Sequence, residues 1–258
     1  RLLGIHVHVD GNVARDGPVL LISNHISWLD IIVLSAVAPL SFIAKREVAG
    51  WPLAGTLARL QRTIFIDRTQ RSDVGRANAE ISERLGGNER VVLFAEGTSS
   101  DGTTVLAFNT ALFAAAKPSA KPHAAADHQV QAHDVPPLRA IKVQTLAITY
   151  THLDGLPLNR LERPRLAWYG DMSMGGHAWG ILKAGRIDVR VIVGEAADLA
   201  SFPDRKALAA RTEADIRRAV VAALRPHGQA PPPEPVTPSR RRDHAFKARS
   251  QSTSRTMT

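Results

Sequence analysis

Two short stretches, Pro18-Val19-Leu20-Leu21-Ile22-Ser23 and Arg90-Val91-Val92-Leu93-Phe94-Ala95, constrain the fold of this chain more than any other feature. Each is apolar in all but one terminal residue. A strand with one face in water alternates polar and apolar side chains, whereas an unbroken apolar run needs cover on both faces. That cover is supplied most simply by helices packed above and below a sheet.

The rest of the chain carries the helices. Ser27 is placed to cap a helix running through Val37, with Asp30 at the third helical position as in a capping box. Gly50-Trp51-Pro52 opens a helix to about Leu60, with Pro52 in the tolerated first turn. Ser72-Asp73 begins another, ending at Leu85 before Gly86-Gly87. A last one, about Asp204 to Leu224, shows apolar spacing at Leu208, Ile216, Val220 and Leu224. Further strands are predicted at His6–Val9 (a short edge strand before Gly11-Asn12), Leu40–Ala44, Thr63–Asp67, Val143–Tyr150, Arg165–Tyr169 and Ile187–Val193. Strands alternating with helices define an α/β fold with a mixed, largely parallel central sheet flanked by helices. One domain spans residues 1–224, interrupted at 117–137 by a Pro-, Ala- and His-rich surface insertion without helical or strand period. Residues 225–258, with six prolines and an arginine run, read as a disordered basic tail.

Composition narrows the function. With 44% hydrophobic residues a full core can be built, and with no cysteine there is no disulfide, thiolate metal site or cysteine nucleophile. The net charge of +9 is uneven. The tail holds seven basic against two acidic residues, and the window Lys45–Arg76 seven against three. Such a patch suits an anionic membrane surface, an acidic carrier protein or a phosphate; it is equally a solvated basic face. Aromatics are 5% and no nucleic-acid-binding motif is present, so no nucleic-acid partner is expected. No run of 18 apolar residues occurs. Because the chain opens on Arg1, either peripheral attachment or an anchor in a preceding segment is expected.

His25 follows the first buried run, at the carboxyl end where open α/β sheets place their sites. Within one continuous helix His25 and Asp30 would lie about 140° apart. They meet only if His25 sits in the loop and Asp30 in the first helical turn. Asp30 then fixes the ring's tautomer and leaves the other nitrogen to take a hydroxyl proton. The alternative is that Asp30 caps the helix and His25 is a plain loop residue. Glu96-Gly97-Thr98 leaves the second buried run at the same edge. There a glutamate can accept from a substrate hydroxyl or hold a cation, and Gly97 permits close backbone approach. Otherwise this is a strand-to-turn corner with a solvated carboxylate. Arg68 can hold a phosphate through two parallel bonds or pair with Asp67. Gly97-Thr98-Ser99-Ser100-Asp101-Gly102 fits no Gly-x-Ser-x-Gly register, and the insertion's histidines lack metal-ligand spacing, so neither a serine nucleophile nor a metal site is expected.

In order and spacing, roughly Gly4 to Gly194 resembles the glycerolipid acyltransferase family, which includes the bacterial 1-acyl-sn-glycerol-3-phosphate acyltransferases. The Asn-His-x4-Asp block falls on Asn24, His25 and Asp30; the second block on Thr63-Ile64-Phe65-Ile66-Asp67-Arg68. The third falls on Phe94-Ala95-Glu96-Gly97-Thr98-Ser99 and the fourth on Val143-Gln144-Thr145-Leu146-Ala147-Ile148. The resemblance implies His25 as general base and Asp30 as its orienting partner, with Arg68, Glu96, Gly97, Thr98 and Ser99 shaping the acceptor site. It implies no cofactor and no metal. The co-substrate is an acyl thioester on acyl carrier protein or CoA, the acceptor a lysolipid hydroxyl, and the place the cytoplasmic face of a bacterial inner membrane.

Ala95 and Thr145 replace the family's prolines, which loosens turns only. Ser99 stands where the family commonly has Arg, removing a cation that pairs with an acceptor phosphate. A hydroxyl can still donate one hydrogen bond, but charge-assisted bonds are about twice as strong. Together with Tyr150-Thr151-His152-Leu153-Asp154-Gly155-Leu156-Pro157, this variant resembles the branch that includes lyso-ornithine lipid acyltransferases. Two rivals stand against acyl transfer. A lipid hydrolase would release free fatty acid, and a non-catalytic membrane-binding module would tolerate His25→Ala.

Overall fold

A computed structural model describes residues 4–45, 49–50, 55, 63–66, 80–116 and 141–225. Among them nine strands form one sheet: β1 (Ile5–Asp10), β2 (Val19–Ser23), β3 (Ser41–Lys45), β4 (Ile64–Ile66), β5 (Arg90–Phe94), β6 (Lys142–Leu153), β7 (Leu156–Pro157), β8 (Ile187–Val193) and β9 (Ala197–Asp198). The order is β1-β8-β6-β2-β5-β3-β4, with β7 and β9 also pairing with β6. From β4 to β6 all neighbours are parallel; β8 is antiparallel to β6, and β1 is parallel to β8. The sheet is therefore mixed and mostly parallel, as the apolar runs require.

Strand β2 lies between β5 and β6, and all five of its residues are buried. Leu20 and Ile22 pack with Leu93, Phe113, Leu208 and Ile216 on one face. Val19 and Leu21 pack with Val92, Leu146, Leu29 and Val33 on the other. The two covering layers include helix α1 (Leu29–Val37) and helix α3 (Arg205–Ala223), whose Asp204 cap accepts from Lys206 N at 2.7 Å and Ala207 N at 2.8 Å. That cap satisfies two of the helix's otherwise unpaired N–H groups.

Four readings of the sequence change. Ser27 does not cap α1: its hydroxyl is buried without a hydrogen-bond partner, and the N-cap is Trp28. The Asp30 carboxylate instead reaches back to the chain entering the helix, so only the return half of the capping box forms. Residues 165–169 are not a strand: Arg163–Arg165 is a 3-10 turn, and Trp168 N donates to Ile26 O at 3.0 Å. Both sides of β6 are taken, by β8 and β2, and this segment instead bonds the loop after β2 and the turn after β5. Strand β6 runs three residues past Tyr150 because Asp154 (φ 52°) and Gly155 (φ 80°) make the two-residue turn into β7. A further helix, α2 (Met174–Lys183), was hidden by Gly175, Gly176 and Gly180, which lower helix propensity.

The remaining strand readings hold within a residue or two. Residues 80–86 are helical as expected, but Asn88 (φ 65°), not a glycine, takes the left-handed position after them. The expected helix after Gly50, the start of the helix at Ser72, Arg68, the insertion at 117–137 and the tail beyond Arg225 lie outside the described residues apart from residue 55. Among the described residues no helix is long and apolar enough to cross a membrane.

Candidate active site

The site is built where β2 ends. After Ser23 the main chain leaves the ladder, and the Asn24 side chain takes over its pairing with β6. Its Nδ2 donates to Ile148 O at 3.0 Å and its Oδ1 accepts from Ile148 N at 2.8 Å. An amide side chain presents the same donor and acceptor as a peptide unit, so the sheet stays satisfied while His25 is freed to project from its edge. Ser100 N then donates to His25 O at 2.8 Å, and Trp168 N to Ile26 O. The loop is thus pinned from two sides.

His25 and Asp30 meet as the loop-and-helix geometry demands. The distance from Nδ1 to Asp30 Oδ2 is 2.8 Å. Asp30 is fully buried. Its Oδ2 also accepts from Ile26 N at 2.6 Å and Ser27 N at 3.0 Å, while Oδ1 accepts from the Tyr150 hydroxyl at 2.8 Å. Four donors surround one carboxylate, so its buried oxygens are all partnered. Burial, then the Asp30 charge and hydrogen bond, push the Tyr150 phenol well above its usual range, so it stays a donor. With Asp30 accepting, Nδ1 carries the proton and Nε2 presents its lone pair. The ring stacks on Phe94, centroids 4.0 Å apart, and its side chain keeps 18% exposure. Among the described residues Nε2 has no hydrogen-bond partner. Such an arrangement can take a proton from a hydroxyl brought to Nε2.

Glu96 shares the edge with His25 but is not a solvated carboxylate: it is 7% exposed and its Oε1 accepts from His25 N at 3.2 Å. Burial drives its carboxyl up to about 8. The Asp30 charge adds to that, while the N–H groups of His25 and Leu106 and the Arg217 charge oppose it. At neutral pH the group is mostly protonated, which suits holding the loop better than holding a cation. An unfolded chain ionises this carboxyl near its usual 4.5, so between 4.5 and about 8 the folded state carries the extra proton. The stability linked to Glu96 is thus complete below 4.5 and is lost as pH rises towards about 8. Glu96→Gln, which cannot ionise, is expected to flatten that fall when melting temperatures are compared across this range. An unchanged slope would mean that Glu96 is charged in the fold.

Gly97 has φ 74°, a region costly for other residues, and Thr98 beside it is exposed. Ser99 does not offer its proton to an acceptor: its Oγ donates to Trp168 O at 2.6 Å, tying the Glu96 turn to the 166–169 segment. The position that commonly holds arginine in the resembled family is here spent on structure. Arg68 lies outside the described residues.

Sequence reasoning missed Tyr150, Phe94, the Asn24 clamp and a contact from Trp28 Nε1 to His177 Nδ1 at 2.9 Å. Asn24, Phe94 and Tyr150 each lay in a sequence motif, but nothing local indicated what their side chains contact. A cleft of about 530 Å³ between β6, β8 and α3 includes Thr145, Gly194, Arg211 and Arg218, but neither His25 nor Glu96.

A histidine–aspartate pair at the carboxyl edge of a mostly parallel sheet can activate a hydroxyl, as a class of transferases and hydrolases requires. Within that class the chain belongs to the acyltransferase family, whose model matches residues 4–137. It is 42% identical over 224 residues to the lyso-ornithine lipid O-acyltransferase of Brucella abortus, covering 87% of this chain and 79% of that one. To the 1-acyl-sn-glycerol-3-phosphate acyltransferase of Neisseria meningitidis it is 34% identical, covering 82% and 73%. The crystal structure of PlsC, the 1-acyl-sn-glycerophosphate acyltransferase of Thermotoga maritima, shares the fold: TM-score 0.56, 22% identity, 88% of this chain and 76% of that one.

Proposed function

We propose that this acyltransferase moves a fatty acyl group from an acyl thioester to the free hydroxyl of a lysolipid, with His25 as general base. The observation that carries the reading is the 2.8 Å contact between His25 Nδ1 and the buried Asp30 carboxylate. Nε2 takes the hydroxyl proton as the hydroxyl oxygen attacks the thioester carbonyl, and Asp30 stabilises the imidazolium that forms. The carbon–sulfur bond then breaks and the thiolate leaves with that proton. The step as proposed needs no metal, no cofactor and no covalent enzyme intermediate. Acyl carrier protein or CoA carries the acyl group, and the enzyme works at the cytoplasmic face of a bacterial inner membrane. Glu96, Gly97 and Ser99 hold the acceptor edge in shape; Thr98 and Arg68 contact the acceptor.

The acceptor we propose is a lyso-ornithine lipid rather than a phosphate monoester. In support, Ser99 replaces a cation and commits its proton to Trp168 O. The similarity to relatives named for that acceptor points the same way. The test is to offer purified protein labelled acyl thioester with lyso-ornithine lipid and with lysophosphatidate. The expected product is diacylated ornithine lipid. Diacylation of lysophosphatidate alone would reverse the acceptor assignment, and release of free fatty acid without acylated lipid would make the protein a hydrolase.

A further inference from the structure

Helix α2 shows two sharply different faces. His177 (8% exposed) and Ile181 (2%) point inward, four residues apart, while Trp179 (59%) and Leu182 (58%) stand in solvent. At 100° per residue, Trp179 and Leu182 fall on one side of the helix. Met172 is also exposed, at 37%. Gly175 and Gly176 keep the same side low near its start. The helix contains no acidic residue, and its one charge, Lys183, rests its ammonium 4.9 Å from the centre of the Trp179 ring. The adjoining β6–β7 hairpin, pinned to Arg186 by Asp154, carries Leu156 at 72% exposure. Single exposed apolar residues are ordinary; four around one short helix are not.

This helix is also wired to the catalytic loop, at two points. Trp28, between His25 and Asp30, donates from Nε1 to His177 Nδ1 at 2.9 Å. Trp168 donates from its ring to Met172 O at 2.9 Å, while its main chain bonds Ile26 and Ser99. His177 is held neutral: burial lowers its basicity, and Nδ1 is occupied as an acceptor.

We infer that the exposed face of α2 is the surface on which this enzyme seats itself in a lipid bilayer, beside the catalytic loop. Tryptophan, leucine and methionine with a single lysine are the side chains that enter the zone between headgroups and acyl chains. The ring sits at headgroup level and the ammonium reaches back to the phosphates. An acidic carrier protein would call for a cluster of cations, and the helix has one. Three glycines make the helix weak on its own, so burial of its face in lipid also stabilises it. The inference rests on the lysolipid reading, since such an acceptor resides in a membrane.

The test uses the full chain and vesicles of phosphatidylcholine with phosphatidylglycerol. Trp179→Glu combined with Leu182→Glu is expected to weaken flotation with vesicles at least about tenfold, and to leave turnover of a monomeric short-chain lysolipid at the level of the unaltered protein. Vesicles of brominated lipid are expected to quench the tryptophan fluorescence, and Trp179→Phe to remove most of that quenching. Unchanged flotation together with unchanged quenching would overturn the inference. So would a loss seen only with carrier-bound thioester, or a change of oligomeric state without lipid, which would assign the face to a carrier protein or a second copy. Flotation needs no turnover, so a protein that seats through α2 yet transfers no acyl group would refute the acyl-transfer reading and leave this one intact.

Discussion

His25→Ala is expected to abolish acyl transfer, lowering kcat by about 10² to 10⁴-fold, the usual contribution of a positioned general base, while the protein stays folded. The survival of the fold follows from the contacts of Asp30. Without the imidazole, this carboxylate keeps Ile26 N, Ser27 N and the Tyr150 hydroxyl, so its buried charge is still met by three donors. The main chain of residue 25 keeps its bonds to Glu96 and Ser100, neither of which involves the ring. What disappears is one stacked contact with Phe94 and the only nitrogen in the loop able to take the proton. Single-turnover transfer beside a thermal melt separates the two effects. Near-normal transfer in the variant would remove the mechanism.

Asp30→Ala and Asp30→Asn are expected to diverge, and the difference reads out what the carboxylate does. Alanine leaves two buried main-chain N–H groups and the Tyr150 hydroxyl without an acceptor. Each such orphan costs about 1–3 kcal/mol, so a loss of about 3 kcal/mol or more is expected, enough to unfold a marginal domain. Asparagine fits the same space. Because both N–H groups point at Oδ2, its amide oxygen takes that place and its NH₂ faces Tyr150, whose hydroxyl turns to accept. The ring then still donates from Nδ1, and its tautomer is kept. Only the negative charge facing the developing imidazolium is lost. Transfer is expected to drop about 10²-fold with the melting temperature much less affected than in Asp30→Ala. Equal destabilisation by both substitutions would show that Asp30 serves the fold alone.

Much of this was legible because it is local. The unbroken apolar runs of β2 and β5 demanded cover on both faces, and both are buried in the centre of the sheet. The five-residue spacing of His25 and Asp30 allowed a contact only across a loop-to-helix junction, and that junction forms. The errors also have local causes. Ser27 was given the cap because serine is a good one, yet its hydroxyl stays unpaired, and the Asp30 carboxylate takes the N–H groups of Ile26 and Ser27 ahead of the helix. Three glycines concealed α2, whose existence depends on packing His177 and Ile181 inward.

The chain's own order of residues settled the architecture class and the spacing at which His25 meets Asp30, because each depends on side-chain type and near-neighbour position. Three-dimensional packing alone decided that Tyr150 donates to Asp30 from 120 residues away, that Glu96 is buried, which drives its carboxyl up, and that a tryptophan-bearing helix contacts the His25 loop. Such contacts join elements that meet only in the folded state, where burial sets the strength of every charge and hydrogen bond.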